Sequence, residues 1–300
     1  MTVLRVLDAG FRSTVQDRGR YAHLRMALPP SGPADPIAFE AAQRLVGNTA
    51  ADAAIEVVGT PFRFTLDAPR LICVTGRGVS VRTRGAVDGW TAVFARAGEE
   101  VVIEGSARTR FAYLGLSGGI ALDPVLGSRA TYVGAAIGAF PRALAAGDEL
   151  PLGPARRGAD AAGRSAARTE GGDVRTVRGP HADRFSGADA FFRGTPYTVG
   201  ERSDRMGVRL QGPRLEATGG EILSIGVTAG AIQVPHGGDP IVLLADHQTT
   251  GGYPVIASVI AADIGAVAQA AVGETLSFYE VDRDAAVEAL RAVRRWLDAL

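Results

Sequence analysis

The stretch Ile241-Val-Leu-Leu-Ala-Asp246-His247-Gln248-Thr249-Thr250-Gly251-Gly252-Tyr253-Pro254 changes abruptly from aliphatic to polar residues. Its aliphatic part, residues 241–245, is short and continuous, which is typical of a buried strand. The paired glycines and Pro254 then favour a turn and take the backbone out of regular structure. The sequence therefore predicts a buried strand that ends in a polar rim at residues 246–253.

This polar rim is a candidate ligand site. Its hydroxyl, amide, carboxylate, imidazole and phenol groups can orient a small polar ligand, and the glycines let such a ligand approach the backbone closely. The candidate catalytic residues are Asp246, His247, Gln248, Thr249, Thr250 and Tyr253, and the candidate substrate-binding glycines are Gly251 and Gly252. The alternative is a hairpin loop that binds nothing, since most Gly-rich connections are only turns.

Short runs rich in Val, Ile, Phe and Thr recur along the whole chain and alternate with Gly, Pro and Asp turns, which predicts a mainly β fold, barrel-like, with few helices. The first series covers residues 3–7, 62–66, 71–75, 91–95, 100–103 and 111–116, and the second covers 174–177, 221–225, 231–234, 240–245, 255–260 and 275–281. Residues 153–172, rich in Gly, Ala and Arg, indicate an exposed linker or a long loop. We therefore expect an N-terminal β domain over 1–155 and a C-terminal β domain with a terminal helix over 173–300.

Two helices are predicted from their ends. In the first, Asp35 caps a helix that has Pro36 at its first position, and Gly47 closes it. The second runs over about 284–300, where apolar residues at helical spacing predict a face that packs against the barrel.

The composition excludes several functions. The 300 residues carry 32 basic and 32 acidic side chains, so no overall charge favours nucleic acid or an anionic membrane. No apolar run is long enough to span a bilayer and no signal peptide is recognisable, so we expect a cytoplasmic protein. Every basic residue is arginine, which excludes a P-loop lysine, a Schiff-base lysine and a biotinylated lysine on this chain.

Further polar residues are candidates for substrate binding. Arg205 and Arg209 flank Gly207 in a turn that enters a strand, and arginine suits carboxylate, carbamate or phosphate; the alternative is an ion pair with Asp204, Glu201 or Glu221. His236, between a proline and two glycines, can act as acid or base near neutral pH. Gln16, Asp17 and Ser31 form an N-terminal polar cluster, for which the alternative is ordinary turn chemistry. The histidines lack metal-site spacing, so we expect no dedicated metal site.

Two other features have structural explanations. Gly115-Leu-Ser117-Gly-Gly119 matches the nucleophile elbow of hydrolases, but no convincing helix follows it and the chain lacks alternating strands and helices. The single cysteine, Cys73, lies in an aliphatic run and is expected to be packing.

Read together, several motifs resemble one family, the biotin-dependent carboxyltransferase-type proteins, which include allophanate hydrolase subunit 2 and the C subunit of bacterial 5-oxoprolinase. The resemblance runs in order from about residue 5 to residue 279. The motifs that carry it are Ser13-Thr-Val-Gln-Asp17-Arg-Gly19-Arg20, Pro30-Ser31-Gly32-Pro33-Ala34-Asp35, Leu45-Val-Gly47-Asn48, Ser203-Asp204-Arg205-Met206-Gly207-Val-Arg209-Leu210, Gln233-Val-Pro235 and the segment from Gln248 to Pro254.

The resemblance implies cyclophilin-like barrels and a subunit of an ATP-dependent complex that cleaves a small amide or lactam. The implied partner is a protein of the allophanate hydrolase subunit 1 type, to which the B subunit of 5-oxoprolinase also belongs. ATP is implied without a site on this chain, and biotin is implied only if another chain carries it. Two alternatives remain: a non-catalytic regulatory partner of a kinase-inhibitor-type protein, and a true carboxyltransferase.

Overall fold

The computed structural model describes residues 2–167, 173–219 and 222–300, which form two compact units. Unit 1 contains residues 2–20, 31–167 and 297–300, and unit 2 contains residues 21–30 and the described residues between 173 and 296. Chain order alone therefore does not define either unit, because segment 21–30 groups with the later unit and the last four residues group with the earlier one.

Unit 1 is built from two sheets. Their order is β11-β1-β4-β9-β6-β7 in one and β2-β3-β10-β5-β8 in the other, and every pairing within them is antiparallel. The strands are β1 (Thr2–Asp8), β2 (Thr14–Gln16), β3 (Ala54–Val57), β4 (Phe62–Leu66), β5 (Arg70–Gly76), β6 (Val79–Arg82), β7 (Ala86–Asp88), β8 (Ala92–Ala95), β9 (Val101–Gly105), β10 (Ala112–Leu116) and β11 (Glu149–Leu152).

Strand β5 shows how the sequence fills this unit. Its side chains alternate between two faces, as in any strand. Ile72 and Val74 enter the core that both sheets share, whereas Leu71 and Cys73 enter a second apolar cluster that also contains Leu45. Both faces are covered, so the strand reads as a continuous apolar run, and Cys73 is fully buried.

Helix α1 (Pro36–Leu45) begins and ends as predicted. Asp35 accepts a hydrogen bond from the backbone N–H of Ala38 at 3.2 Å, and Pro36 occupies the first turn. Gly47 follows the helix with a φ of 80°, a left-handed conformation that glycine adopts without strain.

Of the two predicted forms, residues 153–167 take the long loop, and most of them are exposed. This segment contains a short 3-10 helix (Ala159–Ala161), and Ala161 is buried in the cluster with Leu71 and Cys73. The backbone N–H of Ala92 donates to the Arg164 carbonyl at 2.8 Å, which ties the segment to β8. The segment is thus a long loop anchored on unit 1, and residues 168–172 lie outside the described residues.

Unit 2 is a closed barrel, which confirms the prediction of a mainly β fold with few helices. The strand order is β12-β21-β18-β19-β15-β14-β22, and only the closing pair, β12 with β22, is parallel among the described pairings. The strands are β12 (Asp173–Arg178), β13 (Phe185–Ser186), β14 (Arg193–Val199), β15 (Gly207–Gln211), β16 (Glu216–Ala217), β17 (Ile225–Gly226), β18 (Ala231–Gln233), β19 (Ile241–Leu243), β20 (Thr250–Gly251), β21 (Val255–Val259) and β22 (Thr275–Glu280).

The remaining helices are α2 (Ala188–Phe191), α3 (Ile264–Gln269) and α4 (Arg283–Asp298). Short 3-10 helices cover Tyr21–Met26, Val133–Ala135 and Ala182–Arg184. Helices α2 and α3 are too short to show a periodic apolar pattern, so the sequence did not predict them. In α4 only Leu297 is buried, which is less than the predicted packing face requires. Within the described ranges, no helix combines the length and the apolar character that a membrane crossing requires.

Candidate active site at the rim of the barrel

The predicted rim follows barrel strand β19 in the chain. The strand ends at Leu243, earlier than expected, because the chain turns at residues 245–246 and the His247 N–H donates to the Leu244 carbonyl at 3.1 Å. Asp246 and His247 are buried, whereas Thr250, Gly252 and Tyr253 are exposed, so the rim passes from the interior to the surface.

One detail of the predicted rim is wrong. Thr250 and Gly251 form a two-residue strand, β20, that pairs antiparallel with β17, so Gly251 does not lie outside regular structure. The Val227 N–H also donates to the Thr249 carbonyl at 3.0 Å, which fixes the loop one residue earlier.

Arg205 and Asp246 are joined by a two-point ion pair. Arg205 Nε donates to Asp246 Oδ2 at 2.8 Å and its Nη2 donates to Oδ1 at 3.1 Å, with side-chain exposures of 14% and 10%. The Asp246 N–H in turn donates to the Arg205 carbonyl at 2.9 Å. This pair is charge-assisted and bidentate, and it locks the entry of β15 to the end of β19.

Asp246, a partner of Arg205 in the described residues, was not among the expected ones. Asp204 instead accepts the N–H groups of Met206 and Gly207 and so shapes the turn into β15. Glu221 lies outside the described residues. The sequence could not identify Asp246 as a partner, because the two residues lie 41 positions apart and meet only when the barrel closes.

Arg209 lies apart from this pair. It is exposed on β15, and its guanidinium has no hydrogen-bond or ion-pair partner in the part of the chain that the structure describes. It lines a groove of about 680 Å³ together with Glu201, Arg202 and Asp239. The two arginines that the sequence treats alike therefore differ in environment, one being committed to an ion pair and the other open to a ligand.

His247 is 3% exposed and its Nδ1 lies 2.6 Å from the Gln248 carbonyl. A carbonyl can only accept, so Nδ1 carries the proton of this hydrogen bond. Burial lowers the pKa of His247, while the Gln248 carbonyl and the charge of Asp246 act in the opposite direction. The imidazole is accordingly neutral at physiological pH and fixes the backbone of the next residue.

Gln248 and Gln233 form an amide pair beneath the rim. Gln248 Nε2 donates to Gln233 Oε1 at 2.8 Å, and Gln233 Nε2 lies 3.5 Å from the Tyr253 carbonyl. Gln233 is 2% exposed, and a Cβ at Gly251 would come within 2.3 Å of its Nε2. A side chain at position 251 would therefore have to displace the buried Gln233 amide.

Tyr253 and His236 meet at the outer edge of the rim. Their rings are perpendicular, with centroids 6.1 Å apart, and both residues are exposed. Below them the Val234 N–H donates to the Pro254 carbonyl at 3.0 Å. His236 and Pro254 line a groove of about 340 Å³, so the rim borders a concavity of a size suited to a small ligand.

The predicted N-terminal residues lie in unit 1. Gln16 is fully buried: its Nε2 donates to Thr14 Oγ1 and to the Thr131 carbonyl, and its Oε1 accepts from the Gly32 N–H. Asp17 accepts from Ser128 Oγ at 2.5 Å and from the N–H groups of Gly19 and Arg129 at 2.9 and 2.6 Å. The hydrogen-bond partners of these two side chains all belong to unit 1.

Ser31 differs from its neighbours in this cluster. It is 3% exposed, and its φ of 55° is unusual for a residue with a Cβ. Its Oγ is buried and has no hydrogen-bond partner among the described residues. Of the N-terminal candidates, Ser31 alone has a side-chain atom without a hydrogen-bond partner among the described residues, and its substrate-binding role stays a prediction.

The elbow-like motif has a structural explanation. Ser117 is fully buried, and its Oγ accepts the N–H groups of Arg156 and Arg157, both at 2.9 Å. A Cβ at Gly115 would lie 2.7 Å from the Ala42 carbonyl, so this glycine permits the close approach of α1. The motif serves packing and loop anchoring.

Sequence reasoning missed Gln233 as a member of the site, although it lies in the motif Gln233-Val-Pro235. The signal that could have found it is the Gly251-Gly252 pair, because a glycine inside a strand marks a close approach of another group.

Comparisons with known proteins agree with this architecture. The family described as carboxyltransferase domain, subdomain A and B, matches residues 26–280. The C subunit of the 5-oxoprolinase of Escherichia coli is 34% identical over 304 residues, which cover 99% of this chain and 97% of that protein. The C subunit of the 5-oxoprolinase of Haemophilus influenzae is 35% identical, and the match covers 98% and 96%.

A larger enzyme shares the fold. The crystal structure of the urea amidolyase of K. lactis superimposes with a TM-score of 0.90 at 26% identity, over 99% of this chain. The chain corresponds to 20% of that enzyme, so the likeness concerns one part of a much longer polypeptide.

Proposed function

Since the chain belongs to the carboxyltransferase family defined by subdomains A and B, we propose that it is one subunit of a complex that cleaves the amide bond of a small lactam, with 5-oxoproline as the substrate. The partner is a protein of the allophanate hydrolase subunit 1 type, equivalent to the B subunit of 5-oxoprolinase. The observation that carries the proposal is the rim of the barrel, where buried residues hold a loop whose outer groups stay accessible.

The rim residues divide into two roles in this proposal. Arg205, Asp246 and His247 hold the backbone, since their polar groups are bonded to one another or to the loop. Thr250 and Tyr253 lie exposed and orient the substrate or stabilise charge that develops on the amide oxygen. Arg209, open on its groove, is proposed to bind an anionic group.

ATP is part of this proposal only because of the family to which the chain belongs. Lysine is absent from the chain, so this subunit cannot supply the lysine of a P-loop, and we assign the nucleotide to other subunits of the complex. The bound nucleotide would supply the activation of the amide oxygen, and Thr250 and Tyr253 of this chain would hold the ring in place.

Reconstitution of the complex tests the proposal. We expect no ATP-dependent hydrolysis of 5-oxoproline by this chain alone and clear turnover when the partner subunits are added. Robust turnover by the isolated chain would contradict the need for partners, and no turnover by the full complex would contradict the lactam substrate.

Two variants test the rim within that complex. Tyr253→Phe and Thr250→Val each remove one hydroxyl from an exposed position, and loss of one transition-state hydrogen bond raises the activation energy by about 2 to 4 kcal/mol. Stability should change by less than about 0.5 kcal/mol, because neither hydroxyl is buried. A sharp fall in stability with unchanged activity per folded molecule would make the loop structural.

A second function is favoured by the likeness to urea amidolyase. Carboxyl transfer by this fold would use biotin, and in this chain the biotin has to arrive on another polypeptide because lysine is absent. Carboxylation of urea by the chain together with a biotinylated carrier and a biotin carboxylase would support this function over lactam cleavage.

A further inference from the structure

We propose that Gln248 selects the substrate by accepting a hydrogen bond from the amide N–H through Oε1, and that Gln233 is the positioning residue that turns Gln248 into an acceptor. This inference rests on the proposed function, because it concerns the same rim. It goes further by naming the substrate group that Gln248 recognises, which is an unsubstituted N–H next to the carbonyl.

The orientation of Gln233 follows from its surroundings. Its side chain is 2% exposed, at the end of β18, and the backbone carbonyl of Tyr253 lies 3.5 Å from its Nε2. A carbonyl oxygen only accepts, so the amide nitrogen of Gln233 must face it and Oε1 must face the other way. The reverse orientation would bring two acceptors together in a buried place, which is unfavourable.

The orientation of Gln233 determines the orientation of the Gln248 amide. Gln233 Oε1 is an acceptor, and Gln248 Nε2 donates to it at 2.8 Å. One hydrogen of Gln248 Nε2 is therefore used by Gln233, and this bond turns Oε1, the acceptor of the Gln248 amide, away from Gln233. No other partner for Oε1 occurs in the described ranges, and Gln248 is partly exposed. The two hydrogen bonds therefore run in the same direction: Gln248 donates to Gln233, and Gln233 donates to the Tyr253 carbonyl, which leaves Gln248 Oε1 as an acceptor at the rim.

The packing around Gln233 holds its side chain in place. A Cβ at Gly251 would lie 2.3 Å from Nε2 and 3.3 Å from Oε1 of Gln233, so the backbone of β20 closes over the amide nitrogen. Antiparallel pairing of β18 with β19 and β21 fixes the strand that carries Gln233. The Tyr253 carbonyl then decides which way the amide faces, because turning the amide over would exchange its nitrogen and oxygen at nearly the same positions.

An acceptor at this place distinguishes substrates by chemistry. A lactam or a urea presents an N–H donor beside its carbonyl oxygen, whereas an ester or an N-alkylated amide presents none. A site that is built to hydrogen-bond a substrate N–H rejects an analogue lacking it, because the polar group of the site is left without a partner. Gln248 thus reads the N–H, and the exposed hydroxyls of the rim remain for the carbonyl.

The test uses the reconstituted complex and three probes: 5-oxoproline, its N-methyl derivative and a derivative with the methyl on a ring carbon. The ring-carbon methyl controls for size, since it keeps the N–H. For the wild-type complex we expect kcat/KM for the N-methyl derivative to be lower than for the ring-carbon derivative by about tenfold or more. In Gln248→Met and in Gln233→Met that preference should fall towards one.

The ratio between probes separates recognition from folding, because a variant that is only less stable loses activity on both methyl derivatives equally. A Gln248→Met or Gln233→Met complex that keeps the wild-type preference would overturn this inference, as would a wild-type complex that does not discriminate. Turnover of 5-oxoproline in either case leaves the proposed function standing. Failure of the wild-type complex to cleave any of the probes would overturn both.

Discussion

The N-terminal polar cluster of unit 1 and the rim of the barrel in unit 2 look alike in sequence and differ in what their polar atoms do. Both are short runs of polar residues and glycine beside a β-strand. In the cluster, Gln16 and Asp17 are buried, and the hydrogen bonds of both are made within the unit. In the rim, Gln248 is partly exposed and keeps an acceptor, and Tyr253 is 42% exposed.

Polar residues that look alike in a sequence therefore occupy two kinds of environment. A buried polar residue with every group bonded stabilises the fold, because loss of one partner leaves the others unsatisfied. A residue that keeps unused hydrogen-bonding capacity at the surface can bind a ligand. The first kind should respond to substitution through stability, and the second through activity.

The largest effect is expected for Asp17→Asn. The amide replaces one carboxylate oxygen with a donor and faces it towards N–H or O–H groups that already donate. We expect the free energy of unfolding to fall by about 3 kcal/mol, because the Arg129 N–H loses its acceptor and faces a second donor, and because the bonds from Gly19 and Ser128 lose the carboxylate charge. Chemical denaturation with urea measures it.

Asp88→Asn is the matched control, since Asp88 is exposed in the same unit and should change stability by less than about 0.5 kcal/mol. An Asp17→Asn protein with unaltered stability but greatly reduced turnover would reverse the comparison and make Asp17 a substrate-binding residue.

Arg205→Lys should have the next largest effect. Lysine keeps the charge but cannot make the two parallel hydrogen bonds to Asp246, and the pair is largely buried. We expect a loss of about 2 kcal/mol in the free energy of unfolding, from two charge-assisted hydrogen bonds in a mostly buried place.

Arg209→Lys is its control in the same strand region, because the Arg209 side chain has no partner among the described residues and should leave stability unchanged. Equal stability losses in both variants would show that the ion pair with Asp246 is not what distinguishes the two arginines.

Much of the fold could be predicted from the sequence, because local signals specify it. The cap at Asp35 with Pro36 placed α1, and the alternation of apolar runs with turns indicated the mainly β class and a barrel. The helices α2 and α3 escaped prediction, since four and six residues show no helical period. The anchoring of residues 153–167 escaped as well, because small residues such as Ala161 pack without an apolar pattern.

The site was harder to predict than the fold. Residue types identified the rim, but the partition of its roles depends on contacts between distant segments. Arg205 with Asp246 and Gln233 with Gln248 meet across 41 and 15 positions, and neither pairing has a local signal. Gln16 and Asp17, which the same reasoning named as substrate-binding candidates, make hydrogen bonds within unit 1, and their role in binding stays a prediction.

Gly251→Ala tests the amide chain beneath the rim and should have an intermediate effect. The new Cβ would come within 2.3 Å of Gln233 Nε2, and the Gln233 side chain is buried, so the neighbour has to move. We expect a loss of stability of about 1 to 3 kcal/mol from overpacking, together with the loss of the preference for an N–H substrate.

Gly252→Ala, one position later, controls for the substitution itself. Its Cβ would meet nothing closer than Ser224 Oγ at 3.6 Å, an ordinary contact, so stability should stay within about 0.5 kcal/mol. Similar stability losses at both positions would mean that the loop backbone, and not the Gln233 side chain, sets the requirement for glycine.

The smallest effect, and the one confined to the rim, is a pH dependence of stability through His247. Burial lowers its pKa in the folded protein, so the unfolded chain binds the proton more readily. The stability that the neutral imidazole contributes is therefore fully present above the ordinary histidine pKa of about 6.5, and it is lost as the pH falls below that value. His247→Asn retains a donor for the Gln248 carbonyl but cannot titrate in this range, so urea unfolding at pH 7.5 and 5.5 should show a smaller drop for the variant than for the wild type. Burial also lowers the pKa of His181, which is present in both proteins and contributes equally to each drop. Identical drops in the two proteins would mean that His247 binds a proton as readily in the folded barrel as in the unfolded chain. The buried inner part of the rim would then be as accessible to solvent as its exposed edge.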